Sequence, residues 1–273
     1  MSVLEAVVLG IVQGLTEFLP ISSTAHLRIV PAFLGWQDPG AAFTAVTQIG
    51  TLLAVLVYFR KEISRYSRAF LQSCLHRAPY ESPDSRMAWW ILLGTIPISV
   101  FGLLLKSWIE TSFRSLEVIA CSLIILGVLL AVAERFSLFN RRAESMRFLE
   151  TQFIGFAQAF ALVPGASRSG VTITAGLFLH LTREEAASFS FLLSIPAVAL
   201  SGVYQLYKLR NVLAGEFGFT LAIATFVSAV VGFLSIAFLL RYLRRHNMFV
   251  FILYRIVLGS FLLLAVYLNI LSP

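Results

Sequence analysis

The 273-residue chain has few charged residues and few cysteines. Asp, Glu, Lys and Arg together make up 13% of it, whereas a soluble domain carries about 25%. Its two cysteines are Cys74, in a basic loop, and Cys121, in an apolar run, so we expect neither a disulfide nor a thiolate metal site. The sequence contains no P-loop, H-E-x-x-H, C-x-x-C or dinucleotide-binding motif, so none of these signatures suggests a function.

Apolar residues make up most of the sequence, at 58%. A helix needs about 20 mainly apolar residues to cross the hydrocarbon core of a membrane. Six runs meet this requirement: 41–59, 88–105, 116–133, 186–206, 219–240 and 249–271. The sequence therefore predicts an all-α polytopic membrane protein, with residues 1–273 forming a single integral membrane domain.

Basic residues concentrate in three of the loops, 60–86, 134–150 and 241–248, whereas loops 107–115 and 207–218 hold few. The positive-inside rule predicts that the three basic loops are cytoplasmic and the other two lie outside. The net charge of +7 therefore indicates membrane orientation, and we expect no nucleic-acid partner.

Two further apolar stretches, residues 3–35 and 151–180, are interrupted by polar residues, proline and glycine. The loops on both sides of 151–180 are predicted to be cytoplasmic, so this stretch forms a re-entrant pair or two short crossings. For residues 1–40 a re-entrant pair and a single N-terminal crossing both remain open.

With two re-entrant pairs, each half of the chain is a broken hairpin followed by three spans, and the halves have opposite orientation. The fold prediction is then six full transmembrane helices plus two re-entrant helical hairpins in an inverted-topology repeat, with halves of roughly 1–135 and 150–273. A short similarity supports it, because Gly10-x-x-Gln13 recurs as Gly155-x-x-Gln158.

The first interrupted stretch carries a carboxylate, hydroxyls and an imidazole. Gln13 and Glu17 lie four residues apart and share a helix face, which suits a divalent cation that takes its remaining ligands from phosphate. His26 can act as acid, base or nucleophile, and Ser23 as a nucleophile that His26 activates. The structural alternative is that Glu17 caps a helix near the surface and His26 is interfacial.

The second interrupted stretch is Pro164-Gly-Ala-Ser167-Arg168-Ser169-Gly170-Val-Thr172. We expect a helix to restart there, and hydroxyls with free N–H groups at a helix start form an anion site. The Arg168 guanidinium adds donors that match phosphate oxygens. A purely structural Arg168–Glu17 pair is the alternative. A further arginine, Arg255, lies near a helix end, and we expect its side chain to reach the membrane interface.

These two motifs resemble the signatures of the bacterial undecaprenyl-diphosphate phosphatases of the bacitracin-resistance type. The first motif runs from Gln13-Gly-Leu-Thr-Glu17 through Pro20-Ile-Ser22-Ser23-Thr24-Ala25-His26, and the second from Pro164 to Thr172. The resemblance covers essentially the whole chain. The chain departs from the family pattern at Ala25, where the family usually has glycine, and it carries the glutamine variant of the acidic motif at Gln13.

The resemblance implies that the protein hydrolyses undecaprenyl diphosphate to the monophosphate, which is reused in peptidoglycan synthesis, and so confers bacitracin resistance. It implies a multi-pass protein of the bacterial inner membrane with a site open to the periplasmic side. It also implies a divalent cation, Mg²⁺ or Ca²⁺, and a homodimer is compatible with the sequence. The residues carried over fall into three groups: Glu17, Ser23, His26 and Arg168 as catalytic, Ser22, Thr24, Ser167, Arg168, Ser169 and Thr172 on the diphosphate, and Glu17 with Gln13 on the metal. The attacking group is Ser23, His26 or water, and the sequence does not decide among them.

Two rival functions remain. A polyisoprenyl-phosphate flippase or secondary transporter would have the same broken helices and inverted repeat but would not require Ser23 and His26 beside Glu17. A non-catalytic protein that binds bacitracin or lipid would need the Arg168 cluster but not His26.

Overall fold

The computed structural model describes residues 1–110, 113, 115–211 and 213–271, and these residues contain helices and no strands. Arg114, in a predicted external loop, lies outside them. The helices are α1 Val3–Phe18, α2 Ser23–Leu34, α3 Gly40–Tyr58, α4 Arg60–Leu75, α5 Pro83–Gly94, α6 Ile96–Leu104, α7 Lys106–Glu110, α8 Leu116–Phe136, α9 Phe148–Ala159, α10 Arg168–Phe178, α11 Arg183–Leu209, α12 Glu216–Leu243 and α13 Phe249–Tyr267.

Six helical segments among these residues are long and apolar enough to cross a membrane, which confirms an all-α, multi-pass membrane protein. They are α3, the combined α5 and α6 (Pro83–Leu104), α8, α11, α12 and α13. Each contains one of the six apolar runs found in the sequence, apart from run ends that pass a helix end by one to four residues. The α5–α6 segment is interrupted at Thr95 because Pro97 has no N–H to continue the helical hydrogen bonds.

Each interrupted stretch folds as two short helices that pack against each other, α1 with α2 and α9 with α10. The chain leaves helical conformation at residues 19–22, here termed the first break, and at residues 163–167, the second break. Both breaks end on a serine with positive φ, Ser22 at 75° and Ser167 at 67°. Each serine caps the helix that follows, with its hydroxyl accepting from the N–H of Ala25 or Gly170 respectively.

The second broken hairpin lies in the interior of the bundle. Every residue of α10 from Ser169 to Leu177 is buried, and this helix packs against α8, α9 and α11. The first hairpin packs through α1 on α12, where Gly10 and Gly14 allow close approach to the backbone of the longer helix. This packing places the two breaks next to each other inside the protein.

Candidate active site

Glu17, in the last turn of α1, is the centre of a buried polar cluster. Its side chain is 2% exposed. One carboxylate oxygen, Oε2, accepts hydrogen bonds from Gln13 Nε2 at 2.8 Å and from Ser23 Oγ at 2.5 Å. The other, Oε1, forms an ion pair with the guanidinium of Arg168. The structure thus brings together the acid, the hydroxyl and the arginine that the sequence predicted separately.

Arg168 is the first residue of α10, and its guanidinium spans two elements. Besides the bond to Glu17, its Nη1 donates to the carbonyl of Ser194 in α11 at 3.3 Å. The Arg168 side chain keeps 14% exposure, against 2% for Glu17. The arginine is therefore the more accessible member of the pair, and the carboxylate behind it holds the arginine in place.

Four further hydroxyls lie at the two breaks. Ser22 Oγ is 3.1 Å from Thr24 Oγ1 in the first, and Ser167 Oγ is 3.2 Å from Ser169 Oγ in the second. Ser169 Oγ also lies 3.3 Å from the Glu17 carbonyl and 3.2 Å from the Leu19 carbonyl, which ties the start of α10 to the first break. Since Ser23 and Arg168 are the first residues of α2 and α10 and both bind Glu17, two helix N-termini meet here. Their unpaired N–H groups and positive dipole ends favour a bound anion.

Thr172 is one turn further along α10 and is directed towards α11. Its hydroxyl donates to the Arg168 carbonyl at 2.7 Å and is 2.6 Å from Ser190 Oγ. The threonine is fully engaged in packing α10 against α11. Its predicted contact with the diphosphate stays a prediction.

His26 in α2 has both ring nitrogens in hydrogen bonds. Nδ1 lies 2.7 Å from the carbonyl of Ser22 and Nε2 lies 2.6 Å from the hydroxyl of Tyr254 in α13. A carbonyl only accepts, so Nδ1 carries a proton, and in the neutral imidazole Nε2 then accepts from the tyrosine. The two rings are also stacked, with centroids 5.6 Å apart. Sequence reasoning missed Tyr254, because nothing in the spacing of an apolar span shows which tyrosine faces the site.

The prediction that Arg255 reaches the membrane interface was wrong. The residue is fully buried, and its guanidinium donates to backbone carbonyls, among them that of Pro20 in the first break and those of Gly165 and Ala166 in the second. The reason is that both breaks leave carbonyls without helical N–H partners in the protein interior. The absence of a side chain at Gly127 of α8 makes room for the arginine.

The Glu17 cluster fits a divalent cation with few protein ligands. Oε1 of Gln13 is buried and has no hydrogen-bond partner, and it lies in the same amide group that contacts Glu17. Within the described part of the chain no group of three or more His, Cys, Asp or Glu side chains could hold a metal. One carboxylate and one amide oxygen match Mg²⁺ or Ca²⁺ completed by phosphate oxygens and water, rather than a cation held by protein alone.

Comparison with known proteins identifies the family of the chain. The family model described as bacitracin resistance protein BacA matches residues 6–261. The chain is similar to the undecaprenyl-diphosphatase of Chloroherpeton thalassium, at 56% identity with 96% of each chain covered. It is similar to the protein of the same name from Chlorobium phaeovibrioides, at 55% with both chains covered fully, and from Myxococcus xanthus, at 50% with 100% of this chain and 92% of that one.

Proposed function

The chain belongs to the bacitracin resistance protein BacA family, and on that premise we propose that it hydrolyses undecaprenyl diphosphate to undecaprenyl phosphate and inorganic phosphate. This reaction returns the lipid carrier to peptidoglycan synthesis and so confers bacitracin resistance. The observation that carries the proposal is the meeting of Glu17, Ser23 and Arg168, a carboxylate, a hydroxyl and a guanidinium in hydrogen-bond contact inside an apolar bundle.

The diphosphate binds at the two helix N-termini. Arg168 contacts the phosphate oxygens, because its exposed edge is the part of the ion pair that a ligand can reach. The hydroxyls of Ser22, Thr24, Ser167 and Ser169 donate to the same group. Thr172 supports them indirectly by fixing the first turn of α10. Fixed donors aimed at developing charge stabilise the transition state without reorganisation.

Ser23 is the attacking group. Its Oγ already donates to Glu17 Oε2, so the carboxylate is placed to take the proton as Oγ bonds to the terminal phosphorus. The bond from that phosphorus to the bridging oxygen breaks, and the bridging oxygen leaves with the lipid monophosphate. Water then cleaves the phosphoserine and releases inorganic phosphate. His26 does not attack, because both of its nitrogens are engaged. It holds the start of α2 in place.

A divalent cation, Mg²⁺ or Ca²⁺, completes the site in this proposal. Glu17 and the unpartnered Oε1 of Gln13 would hold it. When bound, it neutralises charge on the phosphate oxygens.

The same proposal includes the membrane architecture. The two hairpins α1–α2 and α9–α10 are re-entrant, and the halves form an inverted repeat in the bacterial inner membrane with the site open to the periplasmic side. Equivalent packing supports the repeat, because α1 contacts α12 much as α9 contacts α5 and α6, while α3 contacts α11 and α8 contacts α13. The matched serines Ser22 and Ser167 support it independently. The predicted homodimer is tested by the molecular mass of the protein in detergent.

The decisive experiment measures phosphate release from a polyisoprenyl diphosphate by the purified protein with Mg²⁺, with Ca²⁺ and with a chelator. We expect metal-dependent release that Glu17→Ala and Arg168→Ala both abolish. Arg183→Ala is the matched control, since it breaks a comparable ion pair, with Glu134, away from the site. Its folded fraction should keep activity.

The outcomes separate the rival functions. If folded wild-type protein binds the lipid diphosphate but releases no phosphate, the result favours a flippase or transporter over a phosphatase. If His26→Ala keeps the full cellular resistance to bacitracin while release is absent, the protein is a non-catalytic binder. Trapping of labelled phosphate on Ser23, and its loss in Ser23→Ala, tests the identity of the attacking group.

A further inference from the structure

The guanidinium of Arg255 donates hydrogen bonds to the backbone of both breaks. Its Nη1 donates to the Pro20 carbonyl at 3.0 Å, in the first break. Its Nη2 donates to the carbonyls of Gly165 at 3.1 Å and Ala166 at 3.0 Å, in the second. Its Nε donates to the Leu123 carbonyl of α8 at 3.2 Å. The Ser122 carbonyl of α8 is a further acceptor, 3.5 Å from Nη2. Five backbone carbonyls on three separate elements are therefore fixed relative to one guanidinium.

The charge of Arg255 has no carboxylate partner in the part of the chain that the structure describes. A fully buried cation is costly unless donors and charge are both compensated. Here carbonyl dipoles provide the compensation, and those of Pro20, Gly165 and Ala166 are available because the helices are interrupted at the breaks. The arginine thus gains acceptors for its buried charge, and the carbonyls of the two breaks gain hydrogen-bond donors.

The guanidinium lies directly beneath the start of α10. A Cβ added to Gly170 would lie 2.7 Å from Arg255 Nη1, and Gly170 is two residues from Arg168. The same guanidinium holds Pro20, three residues before Ser23. Arg255 therefore contacts the backbone just before the residue that binds phosphate and just before the residue that attacks it.

The two halves of the chain differ at this position. Gly127 of α8 faces the Cβ of Arg255, and Gly259 of α13 faces Ile124 in return. Arg255 precedes Gly259 by four residues, and Leu123 precedes Gly127 by four. The counterpart of the arginine in the first half is thus a leucine. Because a leucine packs at the equivalent position of the first half, packing alone does not require an arginine at position 255. Its presence therefore indicates a role at the site.

We propose that Arg255 is a positioning residue that sets the spacing between the two breaks, and so aligns Ser23 and Arg168 on one phosphate. The alignment of Ser23 and Arg168 for catalysis rests on the proposed function. The hold of Arg255 on the two breaks does not rest on the proposed function, and it can be tested on protein without substrate. Each of the three guanidinium nitrogens of Arg255 donates to a backbone carbonyl, so the residue acts through the backbone rather than on the ligand.

Hydrogen exchange followed by mass spectrometry tests whether Arg255 holds the two breaks in place, in the full-length protein in detergent. In Arg255→Met we expect faster exchange in peptides that cover both breaks, with α12 unchanged, because local opening reflects the contacts that were lost. Arg255→Lys keeps the charge but has fewer donors, and should give an intermediate result. Val257→Ala, on the lipid-facing side of α13, is the control and should match wild type.

Kinetics provides the second readout. For the monodisperse fraction of Arg255→Met we expect kcat to fall about 100-fold with KM little changed, since a misplacement of about 1 Å can cost that much. If Arg255→Met does not fold, Arg255→Lys carries both measurements. Wild-type exchange at both breaks, or faster exchange in α8 alone, would overturn the proposal. A wild-type protein that releases no phosphate would instead overturn the proposed function and leave the exchange result decisive.

Discussion

At the scale of single residues, the contact between His26 and Tyr254 determines what the imidazole can do. The tyrosine hydroxyl occupies Nε2, and the Ser22 carbonyl fixes the tautomer by accepting from Nδ1. The imidazole is therefore held between the first break and α13. Any proton chemistry at Nε2 requires the tyrosine to move.

Removing the Tyr254 hydroxyl should lower activity without removing the ring. For Tyr254→Phe we expect kcat to fall about tenfold, the factor that corresponds to about 1.4 kcal/mol for a buried acceptor left without its donor. Steady-state phosphate release measures it, and Tyr267→Phe, an exposed tyrosine of the same helix, is the control. In a His26→Ala background the same substitution should have no further effect, and an additive loss would show that the two residues act separately.

Glu17, Ser23 and Arg168 could be predicted from the sequence because each is a reactive or charged side chain in an otherwise apolar stretch. Tyr254 and the inward direction of Arg255 could not. Both lie in a continuous apolar span, where lipid-facing and protein-facing positions have the same composition. Only the packing of α13 on α8 determines which side of the helix faces the breaks.

At the scale of elements, the two breaks end in the same backbone conformation. Ser22 and Ser167 both have positive φ and both cap the next helix. A non-glycine residue in this conformation costs about 1–3 kcal/mol, which the cap and the surrounding contacts offset. The sequence indicated both interruptions through proline and glycine, but not their conformation, because serine rarely adopts positive φ.

This conformation gives an unusual order of stabilities at Ser167. Ser167→Ala should lower the melting temperature, because it loses the cap, worth about 1 kcal/mol, and keeps the strain. Ser167→Gly should be closer to wild type, since glycine adopts positive φ freely.

Ser201, inside α11, provides the opposite control. There Ser201→Gly should melt below Ser201→Ala, because glycine is the poorer helix former by about 1 kcal/mol. Thermal unfolding in detergent measures all four variants. The same order at both sites would contradict the conformation described for Ser167.

At the scale of the whole molecule, glycines allow the long helices to approach closely. Gly50 of α3 faces α12, where an added Cβ would lie 2.0 Å from the Thr225 carbonyl oxygen. Backbone atoms cannot move aside as a side chain can. Contacts of this kind take the place of a hydrophobic driving force between helices in lipid.

We expect Gly50→Ala to destabilise the protein by about 1–3 kcal/mol through overpacking. Gly102→Ala is the matched control, since its added Cβ would meet only Leu162 at 3.6 Å, and alanine should be neutral or slightly stabilising there. The melting temperatures of the two variants test this difference, and Gly50→Ala should melt at the lower temperature. Equal values would show that α3 and α12 are not in close contact.

The native cysteine Cys74 reports orientation. It is exposed in α4, within a loop predicted to be cytoplasmic. Cys121 is also a free, exposed thiol, so it is replaced by serine throughout. A membrane-impermeant maleimide should then label Cys74 only after spheroplasts are permeabilised. Ala214→Cys in a Cys74→Ser, Cys121→Ser background, in the opposite loop, should be labelled without permeabilisation. The reverse labelling pattern would show the opposite orientation and would contradict a site that opens to the periplasmic side.

The ion pair at the site also sets an order of assembly. Glu17 and Arg168 are 151 residues apart in the chain, and they belong to different halves. During synthesis the first half enters the bilayer with a carboxylate whose cationic partner has not yet been translated. Neither half alone contains a complete site, so catalytic competence arises only after the second hairpin has packed beside the first and α13 has followed it.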